Sequence, residues 1–125
     1  MSRKILLVDD EDDIREVAQM SLEMTAGWDV ATASSGADAL RMVAEDRPDA
    51  ILLDVMMPGM DGPATARALK ALEDTADIPI ILLTAKVQAA DRRRFDDLGI
   101  AGMLSKPFDP MELAAQVSGV LGWTE

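Results

Sequence analysis

Five short apolar runs recur along the chain, and polar stretches with helical spacing lie between them. The runs are Ile5-Leu6-Leu7-Val8, Val30-Ala31-Thr32, Ala50-Ile51-Leu52-Leu53, Ile80-Ile81-Leu82-Leu83 and the segment from Ile100 to Leu104. The first, third and fourth are continuously apolar and do not alternate. That is the pattern of strands buried on both faces, as in a parallel sheet. Between the runs, Ile14, Val17, Ala18 and Leu22 repeat at three and four residues, as do Ala37, Leu40 and Val43. Thr65, Ala68, Leu69 and Leu72 follow the same spacing, and Leu113, Val117, Val120 and Leu121 form the clearest stripe. A further helix, the weakest, is expected over 88–98, where Phe95 and Leu98 are the main large apolar residues.

The residues at the element ends agree. Asp109-Pro110-Met111-Glu112 reads as a helix cap, a proline at the first helical position, and a Glu three residues after the cap. Ser35 and Asp61 are expected N-caps, and Gly27 and Gly99 stand where helices end in a left-handed residue. Alternation of this kind predicts five βα units in one α/β domain over 1–125, with a mostly parallel sheet and no second or output domain.

Composition narrows the function. The 125 residues carry 12 Lys plus Arg against 23 Asp plus Glu, a formal charge of −11, which argues against direct nucleic-acid binding. No Cys and no His are present, so thiolate chemistry, zinc–sulfur sites and imidazole bases are excluded. A metal here must be a hard, oxygen-seeking cation such as Mg²⁺ or Ca²⁺. No stretch approaches the ~18 apolar residues of a membrane span, and the first apolar run is too short for a signal segment. The expected location is the cytoplasm, without membrane partners.

The candidate chemistry gathers at strand ends. Asp9 and Asp10 follow the first run, Asp54 closes the third, Thr84 closes the fourth, and Lys106 follows the fifth. In open α/β sheets the carboxyl edge of the strands is where ligands bind. Taken singly, each residue has a plain structural reading: Asp54 as a turn cap, Thr84 as a β-branched strand residue, Lys106 as a surface side chain. Glu11, Asp12 and Asp13 suit a helix N-terminus. Together the set offers a cation platform, a carboxylate nucleophile, a hydroxyl donor and an ammonium, the parts phosphoryl transfer uses.

The segments Leu7-Val8-Asp9-Asp10-Glu11, Leu53-Asp54-Val55-Met56-Met57-Pro58-Gly59-Met60-Asp61-Gly62, Leu83-Thr84-Ala85 and Ser105-Lys106-Pro107-Phe108 lie in order and span the chain. In these segments the chain resembles the receiver domains of two-component response regulators, including the stand-alone chemotaxis receiver. The resemblance implies a flavodoxin-like (βα)5 three-layer sandwich with a five-stranded parallel sheet in the order 2-1-3-4-5. It implies that Asp54 is the phosphoacceptor and that Mg²⁺ is held by Asp10, by Asp9 largely through water, by Asp54 and by the backbone carbonyl of Met56. Thr84 and Lys106 would bind phosphoryl oxygens, and the Lys106–Pro107 bond would be cis. The donor would be a phosphohistidine on a sensor histidine kinase or a histidine phosphotransfer protein. It would dock near Ile14, Val17 and the Pro107-Phe108 loop. Output would pass to a downstream protein through the faces of the fourth helix, the last strand and the last helix, in a monomer or a phosphorylation-dependent dimer. In that family Met56 and Lys86 flank the path of attacking water. One position departs from the pattern: Met103 stands where such domains often carry Tyr or Phe, and the chain has no Tyr.

Three other readings compete. A phosphohydrolase using an aspartyl intermediate would resemble haloacid dehalogenases, but those carry a second Asp two residues after the nucleophile, where this chain has Met56. A flavodoxin-type cofactor module would need a Ser/Thr-rich loop after the first strand, and Asp9 to Asp13 would repel its phosphate. The third is a receiver fold that binds proteins without being phosphorylated. Met56, Met57, Met60 and Met103 are expected to pack the rim of the site, and Trp28 and Trp123 to be packing residues. Arg92-Arg93-Arg94 with Asp96-Asp97 reads as a solvated helix face.

Overall fold

The computed structural model describes residues 3–85 and 98–123. Five strands form one parallel sheet: β1 (Lys4–Val8), β2 (Asp29–Ala33), β3 (Ala50–Asp54), β4 (Ile80–Thr84) and β5 (Gly102–Ser105), in the order β2-β1-β3-β4-β5. The four described helices are α1 (Asp12–Ala26), α2 (Gly36–Glu45), α3 (Gly62–Ala71) and α4 (Leu113–Leu121). The expected fold class and strand order are those observed. The helix expected over 88–98, with Lys86 and the Arg92–Arg94 cluster, lies outside the described residues apart from Leu98.

Alternation along each strand divides the core into two layers. Leu6, Val8, Ile51, Leu53, Ile80 and Leu82 face α2 and α3, where they meet Ala39, Val43, Ala66 and Leu69. Ile5, Leu7, Ala50, Leu52, Ile81 and Leu83 face α1 and α4, where they meet Ala18, Leu22, Leu113 and Val117. Every residue of β3 is buried, which is why its sequence shows no polar alternation before Asp54. The edge strands do expose residues, β2 at Asp29 and Ala31 and β5 at Ser105.

The caps follow their chemistry. The Ser35 side chain accepts from the Asp38 amide and the Asp61 side chain from the Ala64 amide. Gly27 ends α1 at φ 69°, a left-handed conformation that costs glycine little. The cap expected at Asp109 is displaced: its side chain accepts from the Met111 amide at 2.9 Å within a turn over residues 110–112, and α4 begins only at Leu113, with Glu112 at the N-cap and no side-chain cap bond. Three stripe residues do not face the core, Ala37 among them, since α2 buries Gly36, Ala39 and Val43 instead. Val17 is exposed because α1 buries Ala18, Ser21 and Leu22, and Leu72 is exposed because it lies one residue past the end of α3. The last strand starts at Gly102, later than the apolar run suggests, while Ile100 packs on the core from the preceding loop.

Trp28 and Trp123 meet edge to face at 5.3 Å between centroids, and the Arg3 guanidinium lies 4.4 Å from the Trp123 ring. They join the end of α4 to β2 and are packing residues. Met57 and Met103 are buried in the core layer beneath α2 and α3, whereas Met56 is exposed, so the expected methionine rim is only partly formed.

Gly62 connects the fold to the acidic edge. A Cβ built on it would stand 2.3 Å from the Asp54 carbonyl oxygen and 2.8 Å from the Val55 Cα, both backbone atoms. Its amide donates to the Val55 carbonyl at 3.0 Å. The start of α3 is thus pressed against the end of β3. Gly62→Ala should cost about 2–3 kcal/mol, the scale of overpacking against rigid neighbours. A urea unfolding midpoint lowered at unchanged slope would show it, and an unchanged midpoint would mean that β3 and α3 separate easily.

Candidate functional site

The loops after β1, β3, β4 and β5 meet at one edge of the sheet. The Asp9 amide donates to the Ala33 carbonyl at 3.1 Å, which continues the β1–β2 ladder by one residue and fixes the acid at the strand end. Asp9 is fully buried, Asp54 is 3% exposed, and Asp10 is exposed to solvent. One carboxylate oxygen from each of the three lies within 4.8 Å of the others.

Lys106 completes this arrangement from β5. Its Nζ donates to Asp9 Oδ2 at 2.9 Å and to Asp54 Oδ1 at 3.1 Å. The Lys106–Pro107 peptide bond is cis, as expected. The Lys106 amide donates to the Thr84 carbonyl at 2.7 Å, so the ends of β4 and β5 are joined at the residues that carry the hydroxyl and the ammonium. Thr84 is half-buried and stands one residue beyond Leu83, the register partner of Asp54. All of Asp9, Asp10, Asp54, Thr84 and Lys106 therefore stand at the same sheet edge. Met56 takes part through its main chain, its amide donating to the Asp54 carboxylate.

Two contributors were not singled out from the sequence. Arg15, on the first turns of α1, donates from Nη1 to the Asp9 carbonyl at 2.7 Å and pairs with Asp12. It sits six residues from Asp9 within an acidic stretch, where it reads as an ordinary surface charge. The Glu11 amide donates to Asp9 Oδ1 at 2.9 Å, so the start of α1 also holds this carboxylate.

The electrostatics are uneven. Burial pushes the Asp54 carboxyl above its ordinary value, and the neighbouring charge of Asp9 adds to this. The hydrogen bond from Lys106 opposes the rise without cancelling it. Burial would lower the Lys106 ammonium, but its bonds to Asp9 and Asp54 outweigh that and hold it raised. By formal charge, three carboxylates face one ammonium, leaving two negative charges at the cluster.

The raised Asp54 value has a consequence for stability. A group whose folded value lies above its unfolded one contributes stability below the unfolded value and loses it as pH rises through the folded one. Without a divalent cation, Asp54→Asn should therefore be more stable than the parent at neutral pH. The gap should close as pH falls below 3.8, the ordinary carboxyl value. Urea titrations of both proteins across that range check the sign. A variant less stable at pH 7 than at pH 3.5, relative to the parent, would contradict it.

Residues 5–118 match the family described as the response regulator receiver domain. The chain is 42% identical over 121 residues to the phosphate regulon transcriptional regulatory protein PhoB of Pseudomonas aeruginosa, covering 97% of this chain and 52% of that protein. It is 40% identical over 125 residues to the alkaline phosphatase synthesis transcriptional regulatory protein PhoP of Bacillus subtilis, covering 100% of this chain and 51% of that one. The chain thus spans about half the length of these curated relatives. Among solved structures it is similar to the chemotaxis response regulator CheY4 of Vibrio cholerae, with a TM-score of 0.90 at 32% identity, covering 96% of this chain and 99% of that one. Among the described residues, no helix is long and apolar enough to cross a membrane. With the sheet order, the acidic edge and this match over nearly the whole chain in agreement, the protein belongs to the response regulator receiver family, the signalling domains of two-component systems.

Proposed function

We propose that this domain accepts a phosphoryl group on Asp54 from a phosphohistidine on a partner kinase or phosphotransfer protein, and signals by the change that follows. The single observation that carries the reading is Lys106 placed between Asp9 and Asp54 at 2.9 and 3.1 Å. An ammonium within reach of the Asp54 carboxylate is positioned to meet a phosphoryl oxygen there.

The donor set fits a divalent ion. It is all oxygen, its members converge within 4.8 Å, and its formal excess of two negative charges matches a dication. Asp9, Asp10, Asp54 and the Met56 carbonyl would hold Mg²⁺, which would neutralise charge on the phosphoryl oxygens when bound. The chain's own groups do the rest. The Met56 amide, bonded to the Asp54 carboxylate, fixes its orientation. Oδ of Asp54 attacks phosphorus in line while the P–N bond to the donor imidazole breaks. Lys106 exchanges a carboxylate partner for a phosphoryl oxygen, and the Thr84 hydroxyl donates to another. Among the described residues no buried side-chain nitrogen or oxygen lacks a hydrogen-bond partner, so the acids of the site are already held in place by hydrogen bonds.

The donor's docking surface is proposed on α1 beside the Pro107-Phe108 loop. Val17 is 46% exposed, as a contact residue there must be. A phosphorylation-independent role is disfavoured because it gives no account of two buried carboxylates held against one ammonium.

Incubation with Mg²⁺ and phosphoramidate should give an acid-stable, base-labile label on the parent and none on Asp54→Asn. Lys106→Ala should label at least about a hundredfold more slowly, the scale of a lost charge-stabilising donor. Equal labelling of parent and Asp54→Asn rejects Asp54 as acceptor. Mg²⁺ at ten times its dissociation constant should add about 1.4 kcal/mol to unfolding stability, and Asp10→Ala should abolish that gain. Thermal melts with Mg²⁺ and with chelator read it.

A further inference from the structure

Asp9 is bonded at each of its polar atoms, and one of its partners has no part in the chemistry proposed above. Its amide donates to the Ala33 carbonyl, and its carboxylate oxygens accept from the Glu11 amide and from Lys106 Nζ. The remaining partner is Arg15 of α1, whose Nη1 donates to the Asp9 carbonyl at 2.7 Å. β1 ends at Val8 in both of its pairings, so this carbonyl stands past the register pairs and takes its bond from a side chain. Arg41 and Arg47 also form ion pairs, with side chains 60% and 49% exposed, whereas that of Arg15 is 18% exposed although its partner Asp12 is 87% exposed. An ordinary surface pair leaves both charges in water. Here the guanidinium is drawn in toward the strand end and only the acid stays out.

What the bond holds is a peptide plane. The Asp9 carbonyl belongs to the planar unit that joins Asp9 to Asp10, and both residues share the oxygen cluster with Asp54. Asp10 is exposed, so core packing does not fix it, and the plane from which it departs sets where its carboxylate stands. A guanidinium bond to a carbonyl is charge-assisted and directional. We propose that Arg15 is a positioning residue for divalent-cation binding: by fixing the Asp9–Asp10 peptide it holds the Asp10 carboxylate in register with those of Asp9 and Asp54. This rests on the Mg²⁺ reading proposed above. Asp12 neutralises the guanidinium, so the gain in geometry is not undone by repulsion of the incoming cation. Residues that hold a metal's ligands in this way set affinity without touching the ion.

The experiment measures Mg²⁺ binding to the whole chain by calorimetry, with urea unfolding of the cation-free proteins alongside. Arg15→Met keeps the bulk and removes the donors, and Arg15→Lys keeps the charge but loses the planar fork. Arg15→Met should weaken Mg²⁺ binding about tenfold, the scale for losing a group that orients metal ligands. Arg15→Lys should fall between Arg15→Met and the parent. A guanidinium acting through its charge alone would give the opposite order for the two variants, since removing a positive charge beside the site favours the cation. In labelling with phosphoramidate, the Mg²⁺ concentration for half-maximal rate should rise in step with the dissociation constant, and excess Mg²⁺ should recover the rate. A role in folding alone would lower the urea midpoint and leave the Mg²⁺ dissociation constant unmoved, which overturns the inference. Arg15→Met binding as tightly as Arg15→Lys, or more tightly, overturns it as well. Both results leave the cation site standing. Should Arg15→Met not fold, Arg15→Lys decides: weaker binding than the parent supports the inference, and equal binding overturns it. No Mg²⁺ binding by the parent overturns the cation reading and this inference with it.

Discussion

The ammonium of Lys106 between two buried carboxylates is the contact on which the sheet edge depends. Asp9 and Asp54 end adjacent strands and are almost without solvent, so their charges repel in a medium that screens them poorly. Lys106 reaches both from the far side of β4. A buried ion pair of this kind contributes little net stability, because desolvation consumes most of the attraction. Removing the ammonium, however, leaves two buried carboxylates uncompensated and costs about 3–5 kcal/mol, whereas removing one acid leaves a matched pair. Two acids on one cation are a poor choice if stability were the only demand. They suit a site that must stay short of positive charge until a ligand supplies it.

The sheet makes that arrangement possible by freeing its carboxyl edge from any packing duty. Both faces of β1, β3 and β4 are covered, one by α1 and α4 and the other by α2 and α3. Stability therefore resides in alternating aliphatic rows along the strands, and the residues just past the strand ends can be chosen for chemistry. Gly62 shows how tight the join is. Its missing side chain lets α3 begin against the Asp54 backbone, so the acid is held by main-chain packing as well as by its own hydrogen bonds.

How much of this could be read from the sequence depends on the range of the interaction. The continuous apolar runs at Ile5–Val8, 50–53 and 80–83 report local burial on two faces, and they became β1, β3 and β4. Ser35, Asp61 and Gly27 act within one helical turn, and each caps as expected. Errors fell where tertiary context decides. Val17 and Leu72 fit a helical period but sit beside or beyond the packed stripe, and the turn at 110–112 moves the start of α4 past Asp109, so the expected cap serves that turn and not the helix. The bond from Lys106 to Asp9 joins residues 97 apart in the chain, and no spacing rule reveals it. Their strand-end positions placed those residues at one sheet edge in advance, and the likeness of four separated segments to a known family gave them their roles. Arg15 was missed because its partner is a backbone carbonyl, which leaves no mark on the sequence.

The same contacts constrain how a charge change at Asp54 could travel. The Lys106 amide donates to the Thr84 carbonyl, so the residue that carries the ammonium is tied to the end of β4. On β5, Met103 already lies buried in the core layer with Leu82 and Leu98, and it has no ring or polar tip to place elsewhere. A switch based on an aromatic side chain moving from solvent to core has no part to move here. At Gly102 a Cβ would stand 2.7 Å from the Val120 side chain, so β5 and α4 pack closely there. Any charge added at Asp54 would compete with Asp9 for one ammonium, and the strand ends and the helix packed on them are the elements that adjoin that competition.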